Sequence, residues 1–309
     1  MAQSSGYFGC TDKDGKGQGM WHFDGTVATR IGIPEPLNHE SAHVVVPSGR
    51  DVFDAVGTKL AQLIPESAPF AFEHTHLKPG QYYPRMSRVV DQHVGSPNAV
   101  YHCPGSNTVE SQLAVMRGQL VSLTHKLTDI CQTVHRSPSN FKVYGHEIRN
   151  LLILACTEVE MHWRGVLEAN GQSGKFTTQN YVALQNAMRL GEFGILLPYY
   201  PWMKEVRPFE GWDSARPTES LPWYRAYNAV KHDREGSFEE GTLSHAVDAV
   251  VACAVMLIAQ FGQMEAFRWR SEFGYFFQVA SKPNWKISES YIHPYDGHSA
   301  GLTPVLYPF

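Results

Sequence analysis

Apolar positions recur at three-and-four spacing along several stretches of this chain, which predicts amphipathic or buried helices. Residues 110–134 place Leu113, Met116, Leu120, Leu123, Leu127 and Ile130 on one face. Residues 145–169 do the same with Ile148, Leu151, Leu152, Ala155, Val159, Trp163 and Val166, and Asn170-Gly171 supplies a C-terminal stop. A further helix is predicted over 177–190. The last long helix is expected over 242–264, where Ala249 to Met264 carry no charge. That stretch is shorter than the ~20 residues needed to span a bilayer, so it reads as a central core helix. An earlier helix, 51–64, aligns Val52, Phe53, Val56, Leu60, Leu63 and Ile64 and ends at Pro65.

The remaining stretches follow other patterns. Residues 1–20 are rich in Gly, Ser, Lys and Asp and read as a loose start. Gly15, Gly17 and Gly19 lack the strand–helix frame of a phosphate loop and are read as turns. Residues 20–47 are β-like, with a strand expected at 43–46. Residues 65–105 hold six prolines among scattered aromatics, as irregular structure over a core would. Residues 191–220 are aromatic-rich and are expected to pack on the helices, walling a cleft beside Arg225. From 273 to 279 aromatic residues alternate, which predicts a strand, with 284–294 pairing to it as a hairpin. The aromatic tail 305–309 is expected to dock on its own protein or on a partner. Three spans result: a mixed α/β region at 1–105, a helical bundle at 106–266, and a β-rich C-terminal extension at 267–309 packed on the bundle.

Residues 223–234 form one more predicted helix, opened by Pro222 and broken after Arg234 by Gly236. A helix advances about 100° per residue, so Arg225 and His232, seven apart, lie within roughly 20° of each other. Asn228 falls between them on the same face. That face carries a planar cation, an amide and an imidazole that titrates near neutrality, groups suited to a phosphodiester. Lys231 lies about 100° off this face and is read as steering substrate or as solvated. Glu158, at the edge of the 145–169 apolar stripe, can orient Arg225 or His232. Its alternative is solvation or pairing with a nearby base.

Arg225 and His232, with Asn228 between them inside "AYNAVKHDR", resemble the Arg-x(4–6)-His motif of the HEPN superfamily. The resemblance covers about 106–264. It implies a mainly α fold, a HEPN-like antiparallel helical bundle, and a metal-independent endoribonuclease in a toxin or anti-phage setting. It further implies a homodimer joined through the motif helices, RNA as substrate, no cofactor, and a possible antitoxin or defence-complex partner. In this reading His232 is the general acid or base, Arg225 holds the phosphate, and Asn228 fixes the imidazole or donates to a phosphate oxygen. The alternative is a non-catalytic helical module that binds a protein partner or nucleotide, with Arg225 and His232 structural.

Charge and cysteine usage limit other functions. The net charge is −4, which argues against broad charge-driven binding to nucleic acid. Residues 201–235 hold six basic and six acidic side chains, so the motif region is not a basic patch by count. The five cysteines lack zinc-knuckle or redox spacing, and Cys156 and Cys253 sit in apolar runs. With no secretory pattern at the N-terminus, a reducing, cytoplasmic setting without membrane attachment is expected. His74 and His76, two apart on an extended segment, can face one metal, with His93 and His102 as further ligands. That reading would make 1–105 the active part; the alternative is ordinary loop histidines.

Overall fold

A computed structural model describes residues 5–31, 42–88, 104–233, 235–267, 273–292 and 301–309. The fold is mixed α/β with substantial helix. It divides into two compact units, one of residues 1–82, 88–104 and 284–305, the other of 83–87, 105–283 and 306–309. The C-terminal stretch therefore contributes to both.

The first unit is built on a five-stranded antiparallel sheet. Its strands are β1 (Gly6–Thr11), β2 (Gly17–Phe23), β3 (Val27–Ile31) and β4 (His43–Val45), then β5 (Ala71–His74) after helix α1 (Val52–Leu63), in the order β4-β3-β2-β1-β5. The opening residues are thus strands rather than a loose start. Phe8 pairs with Trp21, and Phe23 with Ala28, which sets one apolar face against Val52, Val56 and Leu60 of α1. The opposite face offers Met20, covered by Ile287 and Ile292. Gly9 is required there, because a Cβ on it would lie 2.7 Å from Ile287 Cγ2. Asp51 caps α1 by accepting from the Phe53 and Asp54 amides. Ile287–Glu289 is a short 3-10 turn, not half of a hairpin. A short strand β6 (Gln81–Tyr82) completes this part of the chain.

The second unit is helical. Its long helices are α2 (Glu110–Thr133) and α3 (His146–Ala169). The expected helix over 177–190 is two short ones, α4 (Thr178–Tyr181) and α5 (Ala183–Ala187). After strand β7 (Gly194–Leu196) come α6 (Pro222–His232) and α7 (Leu243–Phe261), then α8 (Gln263–Phe267). Phe273–Phe276 forms α9 where a strand was expected, and β8 (Gln278–Ser281) then pairs antiparallel with β7. Back in the first unit, β9 (Thr303–Pro304) pairs parallel with β6. Cys253 Sγ meets the Ala155 carbonyl and Gln260 meets His162, both across 98 residues, so α3 and α7 run parallel. On α6 the order reverses: Tyr224 lies by Glu160 and Lys231 near Cys156, so α6 is antiparallel to α3. Alone among the described helices, α7 is long and apolar enough to cross a membrane, yet its residues are buried between its neighbours. The tail docks within this unit: the Tyr307 amide donates to Asn170 Oδ1 at 3.0 Å and its ring meets Tyr83.

A polar chain crosses this apolar bundle. Arg85 Nε donates to Gln260 Oε1 at 2.8 Å, and Gln260 Nε2 lies 2.8 Å from both the Met256 carbonyl and His162 Nδ1. Arginine only donates, so it fixes the Gln260 amide with its oxygen outward. The amide nitrogen then donates to His162 Nδ1, which leaves the imidazole proton on Nε2, facing Glu158 Oε1 at 3.5 Å. Burial, helped by the Arg85 charge, pulls the His162 pKa down to about 3, so this ring is neutral. Arg85 reaches Gln260 by passing over Gly165, where a Cβ would lie 1.8 Å from its Nη1. Gly165→Ala should therefore lower stability in urea unfolding by about 1–3 kcal/mol. Gly118→Ala, on an open face of α2, should leave it unchanged or raise it by up to about 1 kcal/mol. Equal effects at the two positions would remove this account of the Arg85 passage.

Candidate functional site

The motif helix α6 is set in place from below. Pro222 occupies its first turn, where a missing N–H costs nothing. Trp223, Tyr224, Ala226, Tyr227 and Val230 are buried. Trp223 Nε1 donates to the Pro208 carbonyl at 2.7 Å, and its ring joins Trp163, Phe209 and Tyr224. The aromatic 191–220 segment thus packs on the helices as expected, under α6.

A carboxylate fixes the rotation of this helix. Tyr224 donates its hydroxyl to Glu160 Oε1 at 2.5 Å, and Tyr227 to Glu160 Oε2 at 3.4 Å. Lys231 Nζ donates to the Tyr227 oxygen at 2.7 Å and sits over that ring. Burial and the bond to Glu160 push the Tyr224 hydroxyl far above the usual phenol range, so it stays a proton donor. The Tyr227 bond raises the Lys231 pKa, keeping the ammonium charged. The sequence offered Glu158 either as a carboxylate that orients Arg225 or His232 or as one paired with a nearby base, and the carboxylate that anchors α6 through its tyrosines is Glu160. Glu158 faces His162 on its own helix instead, and burial raises its pKa.

With the tyrosines turned inward, Arg225 and His232 emerge on the exposed side of α6, with half-buried Asn228 between them. Arg225 is half exposed, and its Nη2 lies 3.8 Å from Glu240 Oε2. Asn228 Nδ2 donates to the Tyr224 carbonyl at 3.1 Å, a bond within its own helix that leaves the amide oxygen outward. The helix stops at Asp233, whose carboxylate accepts from the Gly236 amide at 2.8 Å. Arg234 lies outside the described residues. The following turn, Phe238–Glu240, is bracketed by two arginines: Arg225 at Glu240, and Arg149 with its guanidinium 5.4 Å from the Phe238 ring centroid.

No family model, curated protein or solved structure matches this chain. Its chemistry therefore has to be read from its own residues. The exposed stripe of α6 offers a guanidinium at one end, an imidazole at the other and an amide between, over a tyrosine–carboxylate anchor. That is a surface able to bind an anionic group and exchange a proton through the imidazole.

The histidines weighed as metal ligands sit elsewhere. His74 lies on β5, exposed, with its ring 5.3 Å from Phe53; His76 is exposed, its backbone amide bonded to the Ser288 carbonyl. Among the described residues, no three His, Cys, Asp or Glu side chains are grouped to hold a metal. His93 and His102 lie outside the described residues. Tyr224 and Tyr227 were not singled out from the sequence, although two tyrosines three apart and a lysine four beyond were visible there. Tyr224→Phe leaves Glu160 without its shortest bond and should cost about 1.5–3 kcal/mol in denaturant unfolding. A variant as stable as wild type would show that Glu160 does not hold α6.

Proposed function

We propose that this chain is a metal-independent endoribonuclease of HEPN type, acting as a homodimer through its motif helices. The observation that carries this reading is that Arg225, Asn228 and His232 share one solvent-facing side of α6, while the other side is locked to α3 through Glu160. In the reaction, a base removes the proton of an RNA 2′-hydroxyl. Its oxygen bonds to the adjacent phosphorus, the bond to the 5′-oxygen breaks, and an acid returns a proton to that oxygen. His232 supplies the base or the acid, and Arg225 neutralises the charge that builds on the phosphoryl oxygens. One imidazole cannot easily serve both ends, so a pair of His232 residues from two protomers completes the set. Glu240 holds Arg225 only through a half-exposed ion pair, which an incoming phosphate can displace. The setting is cytoplasmic and defensive, with an antitoxin or defence-complex protein as partner.

That same ion pair supports a second reading, in which Arg225 is a structural link between α6 and the Phe238–Glu240 turn, and the helical unit binds a protein or nucleotide without catalysis. One experiment separates the two. Single-stranded RNA is incubated with the purified protein in EDTA. Wild type should cleave it, and Arg225→Ala and His232→Ala should each lose about 10²–10⁴-fold in rate with the fold intact by circular dichroism. Cleavage that survives His232→Ala, or that depends on magnesium, refutes the ribonuclease. A wild type without cleavage favours the binding module.

A further inference from the structure

The second unit buries another arginine on quite different terms from Arg85. Arg136 follows α2, is fully buried, and has no hydrogen-bond partner on Nε, Nη1 or Nη2. Among the described residues, it alone leaves all three guanidinium nitrogens unsatisfied. Its backbone is held firmly: Trp202 Nε1 donates to the Arg136 carbonyl at 2.7 Å, and Asn140 Nδ2 donates to the His135 carbonyl at 2.7 Å. The side chain is thereby directed inward, under the Tyr200 ring at 5.0 Å. Buried polar groups are otherwise almost always bonded, and an unpaired buried charge is among the costliest features a fold can carry.

The charged and titratable groups that face this guanidinium come from three places: Cys131 of α2, Tyr200 of the covering loop, and Asp248 of α7. Tyr200 is engaged with Cys131, and burial first, then that bond, push its hydroxyl up to about 12. Asp248 acts on Arg136 electrostatically but makes no ion pair with it. The cover is thin. Tyr199 and Trp202 are both more than half exposed, and Trp202 stacks outward on His135 at 5.2 Å. Lifting it breaks the indole hydrogen bond, the Trp202–His135 and Tyr199–Phe276 ring contacts, and the bond between Tyr200 and Cys131.

We propose that Arg136 anchors a binding site for a small oxyanion, a carboxylate or phosphate, closed by the Tyr199–Trp202 loop. Five N–H groups in a planar fork fit two oxygens of such an anion side by side, a geometry that a halide cannot match. Tyr200 stacks against the guanidinium as the anion's cover. Asp248 sets the pH dependence. Burial raises its carboxyl pKa to about 7, and the Arg136 charge opposes that rise. Above that value the carboxylate repels an added anion; below it the neutral acid does not. Anion binding therefore takes up a proton. The same shift means the folded state holds a proton that an unfolded carboxyl has already lost, so this group's contribution to stability falls as pH rises from about 4 to about 7.

The test uses the full chain, thermal unfolding and calorimetric titration with sodium phosphate or sodium acetate, against sodium chloride of matched ionic strength, at pH 6 and pH 8. Phosphate or acetate should raise Tm beyond the chloride control, with affinity about tenfold higher at pH 6. The arm that acts more strongly names the oxyanion class. Arg136→Met should abolish the response while matching or exceeding the wild-type Tm in oxyanion-free buffer. Asp248→Asn should keep the response and equalise it at the two pH values. A shift no larger than that of chloride, or one retained in Arg136→Met, means an adventitious ion only and overturns the proposal. The wild-type titration decides this even if a variant fails to fold.

Discussion

The exposed face of α6 depends on the bond between its tyrosines and one carboxylate of α3. Each residue of a helix turns it by about 100°, so a slip of one position would carry Arg225 from solvent to where buried Tyr224 or Ala226 now lies. Glu160 prevents that slip by accepting from Tyr224 and Tyr227 together, two hydroxyls one turn apart. The carboxylate itself is only half-buried, and the ammonium of Lys231 completes the chain of donors. Desolvation is thus shared among groups that satisfy one another, the arrangement in which a polar cluster specifies geometry instead of weakening a core.

Magnitudes decide which contacts hold the helix. Trp223, Tyr224, Tyr227 and Val230 are nearly or fully removed from water, and burial of side chains of this size contributes about 1.5–3 kcal/mol each. The Arg225–Glu240 pair, half exposed and 3.8 Å apart, contributes about 0–1 kcal/mol. The helix would stay in place without that pair. A guanidinium whose present partner is so weakly bound, on a helix so firmly anchored, is free to change partners without disturbing the fold.

Much of the helical unit was legible in the sequence because its signals are periodic. The stripes on α2 and α3 repeat every three or four residues, and the Asn170-Gly171 stop lies where α3 ends. In the first unit β1 and the start of β2 were hidden, because glycines at 6, 9, 17 and 19 remove the side chains whose alternation would mark a strand, and Gly9 is there to admit Ile287. Phe273–Val279 misled for the opposite reason: nearly every position is apolar or aromatic, so no period separates a helical turn from a strand. The stripe bearing Arg225 and His232 was read from spacing alone. Its supporting carboxylate was not, since Glu158 and Glu160 are two apart and about 200° around the helix from each other. Glu158 meets His162 one turn along its own helix, and only the placement of α6 beside α3 decides that Glu160 meets the tyrosines.

Arg85 and Arg136 show why burial by itself says little about a charged group. Both sit inside the helical unit, and burial lowers the pKa of both to about 10. Arg85 spends its donors on Gln260 and Met116 and lies against Phe261, and the bundle makes room for it at Gly165. Its environment is complete, and its role is to tie residues 83–87 to α3 and α7. Arg136 has an equally fixed backbone and an aromatic ring beneath its cover, but no acceptor for any of its nitrogens. A guanidinium remains protonated in either setting, so the difference cannot be removed by losing a proton. What distinguishes the two sites is the supply of acceptors, and a site that supplies a fixed fork, a stacking ring and a thin lid without acceptors is organised to receive them from elsewhere.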